Sequence, residues 1–179
     1  MRILSGIQPS GKLHIGNSFG MMKPAINMQD DADVFLFIAD YHALTTTHDA
    51  KILKGLINDA VLDFLACGIN PDKTFFYKQS DVPQVHELAW LLSTITPIGL
   101  LERCHSFKDK TAKGISASHA LFSYPVLMAS DILSISANVI PVGRDQKQHV
   151  EVTRDIAERF NNHFGEVFTI PEPSIKESV

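Results

Sequence analysis

Val34-Phe35-Leu36-Phe37-Ile38-Ala39 is an unbroken apolar run of six residues. A strand with one wet face alternates apolar with polar residues, and this run does not. It suits a strand covered on both faces, as in a parallel sheet. Three other short segments have strand character: residues 3–8, 74–77 and 138–142. Helical periodicity fills the spaces between them. Ile15, Phe19, Met22 and Ile26 recur at spacings of three and four across 15–30, where Pro24 predicts a kink or a local break. Behind an Asp49 cap, Ile52, Leu53, Leu56, Ile57, Ala60, Val61, Phe64 and Leu65 form a broad stripe of period 3.6. Gly68 and Asn70-Pro71 stop it. Residues 85–95, 120–135 and 145–164 also read as helices, with Pro97-Ile98-Gly99 as a breaker. Residues 107–118 form a polar connection, and 169–179, with its two prolines, shows no period. Trp90, Phe75 and Phe76 are assigned to the core. This strand–helix alternation predicts an open α/β sheet with helices on both faces. Ligands of such sheets bind beyond the carboxyl ends of the strands, where the strand order reverses.

Composition narrows the function classes. A chain of 179 residues suits one domain. With 45% apolar and 20% charged residues, disorder and fibrous or disulfide-rich scaffolds are excluded. Cys67 and Cys104 form no C-x-x-C pair, and free thiols fit a reducing compartment. The N-terminus has no signal-peptide run, and no stretch approaches the roughly 18–20 apolar residues of a membrane span. A cytoplasmic protein with no membrane partner is therefore expected. A net charge of -4 and a pI near 6.0 argue against non-specific nucleic-acid binding, so any such role needs a local patch or a surface elsewhere.

Four polar motifs and one strand-end triplet carry candidate chemistry. Gly6-Ile7-Gln8-Pro9-Ser10-Gly11-Lys12-Leu13-His14-Ile15-Gly16-Asn17 joins the first strand to the first helix. It fits either a tight turn with a helix cap or a small-residue cradle for an anion at a helix N-terminus. His14 and Asn17, three apart, share one helix face. Gly143-Arg144-Asp145-Gln146-Lys147-Gln148-His149 follows the fourth strand. There Asp145 is either an N-cap or a contact to a ribose. Tyr124, Met128 and Asp131 lie at i, i+4 and i+7, one helical stripe. A carboxylate in an apolar stripe is costly without a partner, and a buried ligand N–H would serve. Lys108-Asp109-Lys110-Thr111-Ala112-Lys113 is either a solvated loop or, beside a nucleotide, a clamp for a leaving pyrophosphate. Asp40-Tyr41-His42 closes the second strand. The eight histidines show no metal-ligand spacing.

Taken in order, Gly6-Ile7-Gln8-Pro9-Ser10-Gly11, Leu13-His14-Ile15-Gly16-Asn17, the Tyr124–Leu133 stretch and Val142 to His149 resemble the bacterial tryptophanyl-tRNA synthetases, which are class I aminoacyl-tRNA synthetases. Thr153-Arg154-Asp155-Ile156-Ala157-Glu158-Arg159-Phe160-Asn161 continues the likeness, which covers essentially the whole chain. The resemblance implies a Rossmann-like, doubly wound parallel sheet. It also implies activation of L-tryptophan by ATP with Mg²⁺, then transfer to tRNA(Trp). His14-Ile15-Gly16-Asn17 stands where the class has His-Ile-Gly-His. By the resemblance, His14, Asn17 and Lys110 serve catalysis, with Lys110 on the pyrophosphate side. Gln8, Pro9, Ser10, Gly16, Asn17, Gly143, Arg144 and Asp145 line ATP. Asp131 accepts the indole N–H, and Tyr124 and Gln146 hold the amino and carboxylate ends. Met128, Leu4, Ile140, Val142 and His42 shape the side-chain pocket.

Two features of the family are missing from these 179 residues: its Lys-Met-Ser-Lys-Ser motif and its helical anticodon-binding domain. The chain is therefore expected to be a catalytic domain incomplete at its C-terminus, with weakened activation. A non-catalytic tryptophan- or nucleotide-binding module and a tyrosine-specific relative are the alternatives. The resemblance also implies a homodimer. Leu88, Trp90, Leu91, Ile95, Leu100 and Leu101 suit either its interface or the core of a monomer.

Overall fold

The run at 34–39 forms strand β2 (Asp33–Ile38) in a computed structural model that describes residues 1–13, 16, 21–104, 118–143 and 146–175. Its side chains divide by parity between two apolar clusters. Val34, Leu36 and Ile38 pack with Ile7, Ala60 and Phe64 on one face. Phe37, followed by Ala39, packs with Leu4, Ile132 and Val150 on the other. Both faces are covered, which is why no polar residue interrupts the run.

Around β2 stand β1 (Arg2–Ile7), β3 (Thr74–Lys78), β4 (Val139–Val142) and β5 (Glu172–Ile175). All pairs are parallel and the order is β3-β2-β1-β4-β5. The chain walks outward from β1 to β3 and then returns to lay β4 on the other flank of β1. The order therefore reverses between β1 and β4. β1 and β2 stay in register from Arg2↔Asp33 to Ile7↔Ile38, whereas β1 and β4 pair at Ile3↔Val139. Asn138 sets that register: its side-chain oxygen accepts from the Arg2 N–H at 2.8 Å, and its own N–H donates to the Arg2 carbonyl at 2.9 Å.

Helices cover both faces, as the alternation predicts. They are α1 (Lys23–Met28), α2 (Asp40–Ala43), α3 (Ala50–Ala66), α4 (Gln84–Ser93), α5 (Ile98–Glu102), α6 (His119–Ser134) and α7 (Lys147–Phe164). Asp49 caps α3 as expected, accepting from the N–H groups of Lys51 at 2.8 Å and Ile52 at 3.0 Å. Gly68, beyond its end, takes φ +105°, a conformation glycine enters without a Cβ clash. Ala60 and Phe64 bury the inner edge of the α3 stripe while Ile52 and Leu65 remain exposed. A third cluster joins α4, α5, α6 and α7 through Leu92, Leu101, Val126 and Ile156. No helix among the described residues is long and apolar enough to cross a membrane.

Several expectations need correction. Residues 169–179 contain β5, a four-residue edge strand with Pro173 inside it. Its pairing comes from distant residues: the Glu172 N–H donates to the Asn138 carbonyl at 2.9 Å, and Arg154 donates to the Pro171 carbonyl at 2.7 Å. Too short to show a period, and holding a proline, it carries no local strand signal. Pro24 does mark the local break expected of it: Met21 and Met22 form a π-helical turn, and α1 begins directly after it with Pro24 in its first turn. Of the three aromatics assigned to the core, Phe76 packs against Phe64, but Phe75 and Trp90 are 58% and 73% exposed. Phe75 lies on the edge strand β3 and stacks on Phe35 with ring centroids 4.5 Å apart. Trp90 lies on the outer side of α4, whose Val85 and Leu92 face inward. Leu100 and Leu101 are core, whereas Leu91, like Trp90, points outward.

Candidate active site

Four strands deliver candidate site residues at their carboxyl ends. Gln8 follows β1, Asp40-Tyr41-His42 follow β2, Gln79 follows β3 and Gly143 follows β4. A cavity of about 500 Å³ opens beyond these ends, within the ordinary size of a small-molecule site. Leu4, Met128, Ile140 and Val142 give it apolar walls. Asp131, His42, Tyr124 and Gln146 give it polar groups. Every residue placed around the amino acid by the sequence thus lines this one cavity.

The nucleotide residues divide. Gln8 and Gly143 line the same cavity. Pro9 is buried, while Ser10 and Gly16 are exposed and outside the lining. His14, Asn17, Lys110, Arg144 and Asp145 lie outside the described residues.

Asp131 is the chemical centre. It sits on the inner face of α6, 3% exposed. The sequence asks for a partner, for which a ligand N–H would serve; the fold supplies two side-chain partners of its own. His42 Nε2 lies 2.9 Å from Oδ2. Gln79, itself fully buried, donates through Nε2 to Oδ1 at 2.8 Å and to Oδ2 at 2.9 Å. Burial pushes the Asp131 carboxyl above the usual carboxylate range, and the hydrogen bonds from His42 and Gln79 oppose that rise. Burial, and secondarily the Asp131 charge, also holds the Tyr77 phenol above its ordinary value.

The rest of the cavity is built with the same economy of space. The Tyr124 hydroxyl meets His149 Nε2 at 2.7 Å, the two rings edge to face. Gly6 is a glycine because a Cβ there would overlap the Phe37 ring across β1 and β2. Ser130, beside Asp131, is tied by its hydroxyl to the Val85 carbonyl of α4, which fixes the face that α6 turns inward.

Sequence reasoning did not assign Gln79, Phe37 or His149. Two signals were available. Gln79 is a polar residue directly after a strand, like the motifs that were assigned. His149 ends a motif that was quoted, and it is one turn beyond Gln146 on the same helix face. Phe37 had no signal, because an aromatic inside an apolar run reads as core.

Comparison with known proteins extends this geometry. The model of the family "tRNA synthetases class I (W and Y)" matches residues 1–178. A tryptophan–tRNA ligase of Campylobacter jejuni is 56% identical over 179 residues, covering 100% of this chain and 56% of that protein. A tryptophan–tRNA ligase of Fusobacterium nucleatum is 58% identical over 175 residues, 97% of this chain and 54% of that protein. The chain thus spans about half the length of these relatives. The crystal structure of the C. jejuni tryptophanyl-tRNA synthetase complexed with ADP and tryptophan superposes with a TM-score of 0.96 at 56% identity, over 100% of this chain and 56% of that one. A tyrosyl-tRNA synthetase of Aeropyrum pernix, 17% identical with a TM-score of 0.78, shares the fold. Since the family match runs through every strand and helix that builds the cavity, the chain belongs to the class I tRNA synthetases for W and Y.

Proposed function

We propose that the protein is a tryptophan–tRNA ligase. A tryptophan carboxylate oxygen attacks the α-phosphorus of ATP, forming the adenylate and releasing pyrophosphate. The 3′-terminal hydroxyl of tRNA(Trp) then attacks the activated carbonyl, and AMP leaves. No covalent protein intermediate is needed; the protein orients the reactants and stabilises charge. Mg²⁺ enters with the nucleotide as part of the substrate.

The observation that carries this proposal is a buried carboxylate, Asp131, lining a cavity whose apolar walls include Leu4, Met128, Ile140 and Val142. An indole is apolar except for one N–H, and beside these apolar walls Asp131 offers that N–H an acceptor. Tyr124 and Gln146 hold the amino and carboxylate ends. Gln8, Pro9, Ser10, Gly16, Asn17, Gly143, Arg144 and Asp145 serve the nucleotide, and His14 and Lys110 serve the transfer of charge. The relative solved in complex with ADP and tryptophan is 56% identical to this chain, which supports a site for both ligands here. By the family resemblance, two chains associate, and exposed apolar side chains of α4 and α5 supply the contact.

Titration calorimetry tests the assignment. Tryptophan binds and tyrosine does not, and Asp131→Ala weakens tryptophan by at least about tenfold, the cost of losing a charged acceptor. Unchanged tryptophan affinity in that variant removes Asp131 from the pocket. A preference for tyrosine makes the protein the tyrosine-specific member of its family.

A further inference from the structure

Asp131 does not meet the cavity alone. Its acceptor capacity is organised by a buried amide that belongs to none of the binding motifs. A carboxylate offers about four lone-pair positions. Gln79 Nε2 lies almost equally far from Oδ1 and Oδ2, so one of its N–H groups is shared between them, and His42 Nε2 bonds to Oδ2 in addition. Among the described residues, Oδ1 is therefore the less engaged of the two oxygens.

The amide can face only one way. Gln79 Oε1 accepts from the Tyr41 backbone N–H at 3.1 Å, so its nitrogen must turn to Asp131. The backbone is pinned as well: the Ser80 N–H donates to Asp40 Oδ1 at 3.0 Å. Three consecutive residues therefore share one task. Asp40 holds the backbone beside Gln79, Tyr41 holds its oxygen, and His42 holds the far oxygen of Asp131. The register Ile38↔Lys78 brings these two strand ends level, which puts Gln79 abreast of Ala39.

We propose that Gln79 is a positioning residue for ligand selection: by bridging both oxygens of Asp131 it keeps that carboxylate an acceptor and presents the less engaged Oδ1 to a ligand ring N–H. The proposal rests on the tryptophan function given above. In a dry site a carboxyl without such donors takes up a proton, and a neutral acid then donates where the ligand needs an acceptor. Gln79 acts through Asp131 and need not touch the ligand.

The test compares tryptophan with its benzothienyl analogue, in which sulfur replaces the indole N–H, by calorimetry on the full-length protein and on Gln79→Met. The wild type prefers tryptophan. Gln79→Met reduces that preference by about 10- to 100-fold, the range for a hydrogen bond to a charged group, while affinity for the analogue changes less than about twofold. In an Asp131→Asn background, Gln79→Met costs no further preference. Equal losses for both ligands, or an undiminished preference, overturn the role of Gln79. A wild type indifferent to the ring N–H overturns the indole assignment of Asp131 itself, and the Gln79 role with it. A measurement on the unmodified protein does not depend on the variant folding. The Gln79 side-chain amide resonances exchange slowly with solvent and move when tryptophan binds, but not when the analogue binds. Fast exchange, or equal movement with both ligands, overturns the proposal.

Discussion

In the proposed role Asp131 accepts a ligand N–H as a carboxylate, yet burial favours its neutral form. The structure shows burial as the larger effect, since the carboxyl lies above its usual range despite His42 and Gln79. That direction fixes a dependence of stability on pH. An acid with a raised folded-state pKa contributes stability that is complete below the unfolded value, about 3.9, and is lost as pH rises through the folded value. Asp131→Asn has the same shape and does not titrate. The melting temperature of the wild type minus that of Asp131→Asn should therefore fall as pH is raised from about 4 to about 8. A difference that is flat or rises across that window contradicts the direction. The same variant should lose tryptophan affinity at every pH, because its amide cannot reproduce a carboxylate held by two donors. The site thus gives up stability for an acceptor. Asp131 as the centre was legible in the sequence from one carboxylate in an apolar helical stripe. Its partners were not, because nothing in the local pattern around Gln79 or His42 points to residue 131.

Elements with strong local signals formed where the sequence put them. β2 came from an unbroken apolar run, and α3 came from its cap, its stripe and its terminal glycine. α3 packs beneath the sheet through Ala60 and Phe64, on the face away from the Leu4–Ile132 side. Stability and binding should therefore separate there. Asp49→Ala leaves the N–H groups of Lys51 and Ile52 without their acceptor and costs about 1 kcal/mol in denaturant unfolding. Tryptophan affinity in calorimetry stays unchanged. A cost near zero would mean that solvent caps the helix equally well. β5 illustrates the opposite case. Its four residues, one a proline, are ordered by Asn138 and Arg154 from elsewhere in the chain. α4 lies between these cases: its helical period was legible, but its burial was not. With apolar residues around much of its circumference, only the packed structure tells that Leu92 is inside and Trp90 outside.

At the scale of the whole molecule, α4 and α5 carry apolar side chains that the fold leaves exposed. Trp90, Leu91 and Ile98 are 73%, 49% and 67% exposed. If a second copy covers them, Trp90→Glu places a charge in that contact. Sedimentation should then show a dimer for the wild type and a monomer for the variant, with unfolding little changed because Trp90 holds no core position. A wild-type monomer removes the dimer from the proposal. The sequence by itself determined the alternation of strands and helices, the two-sided burial of β2 and the order of polar motifs at strand ends. These properties are written in spacings of a few residues, where local geometry sets the period of side chains. Tertiary structure alone decided the order of strands around β1, the edge strand β5, the outward face of α4 and the partners of Asp131. Gln79 reaches Asp131 across 52 residues of sequence and His42 reaches it across 89. A hydrogen bond acts over about 3 Å, so such pairings exist only once the sheet has brought its strand ends together.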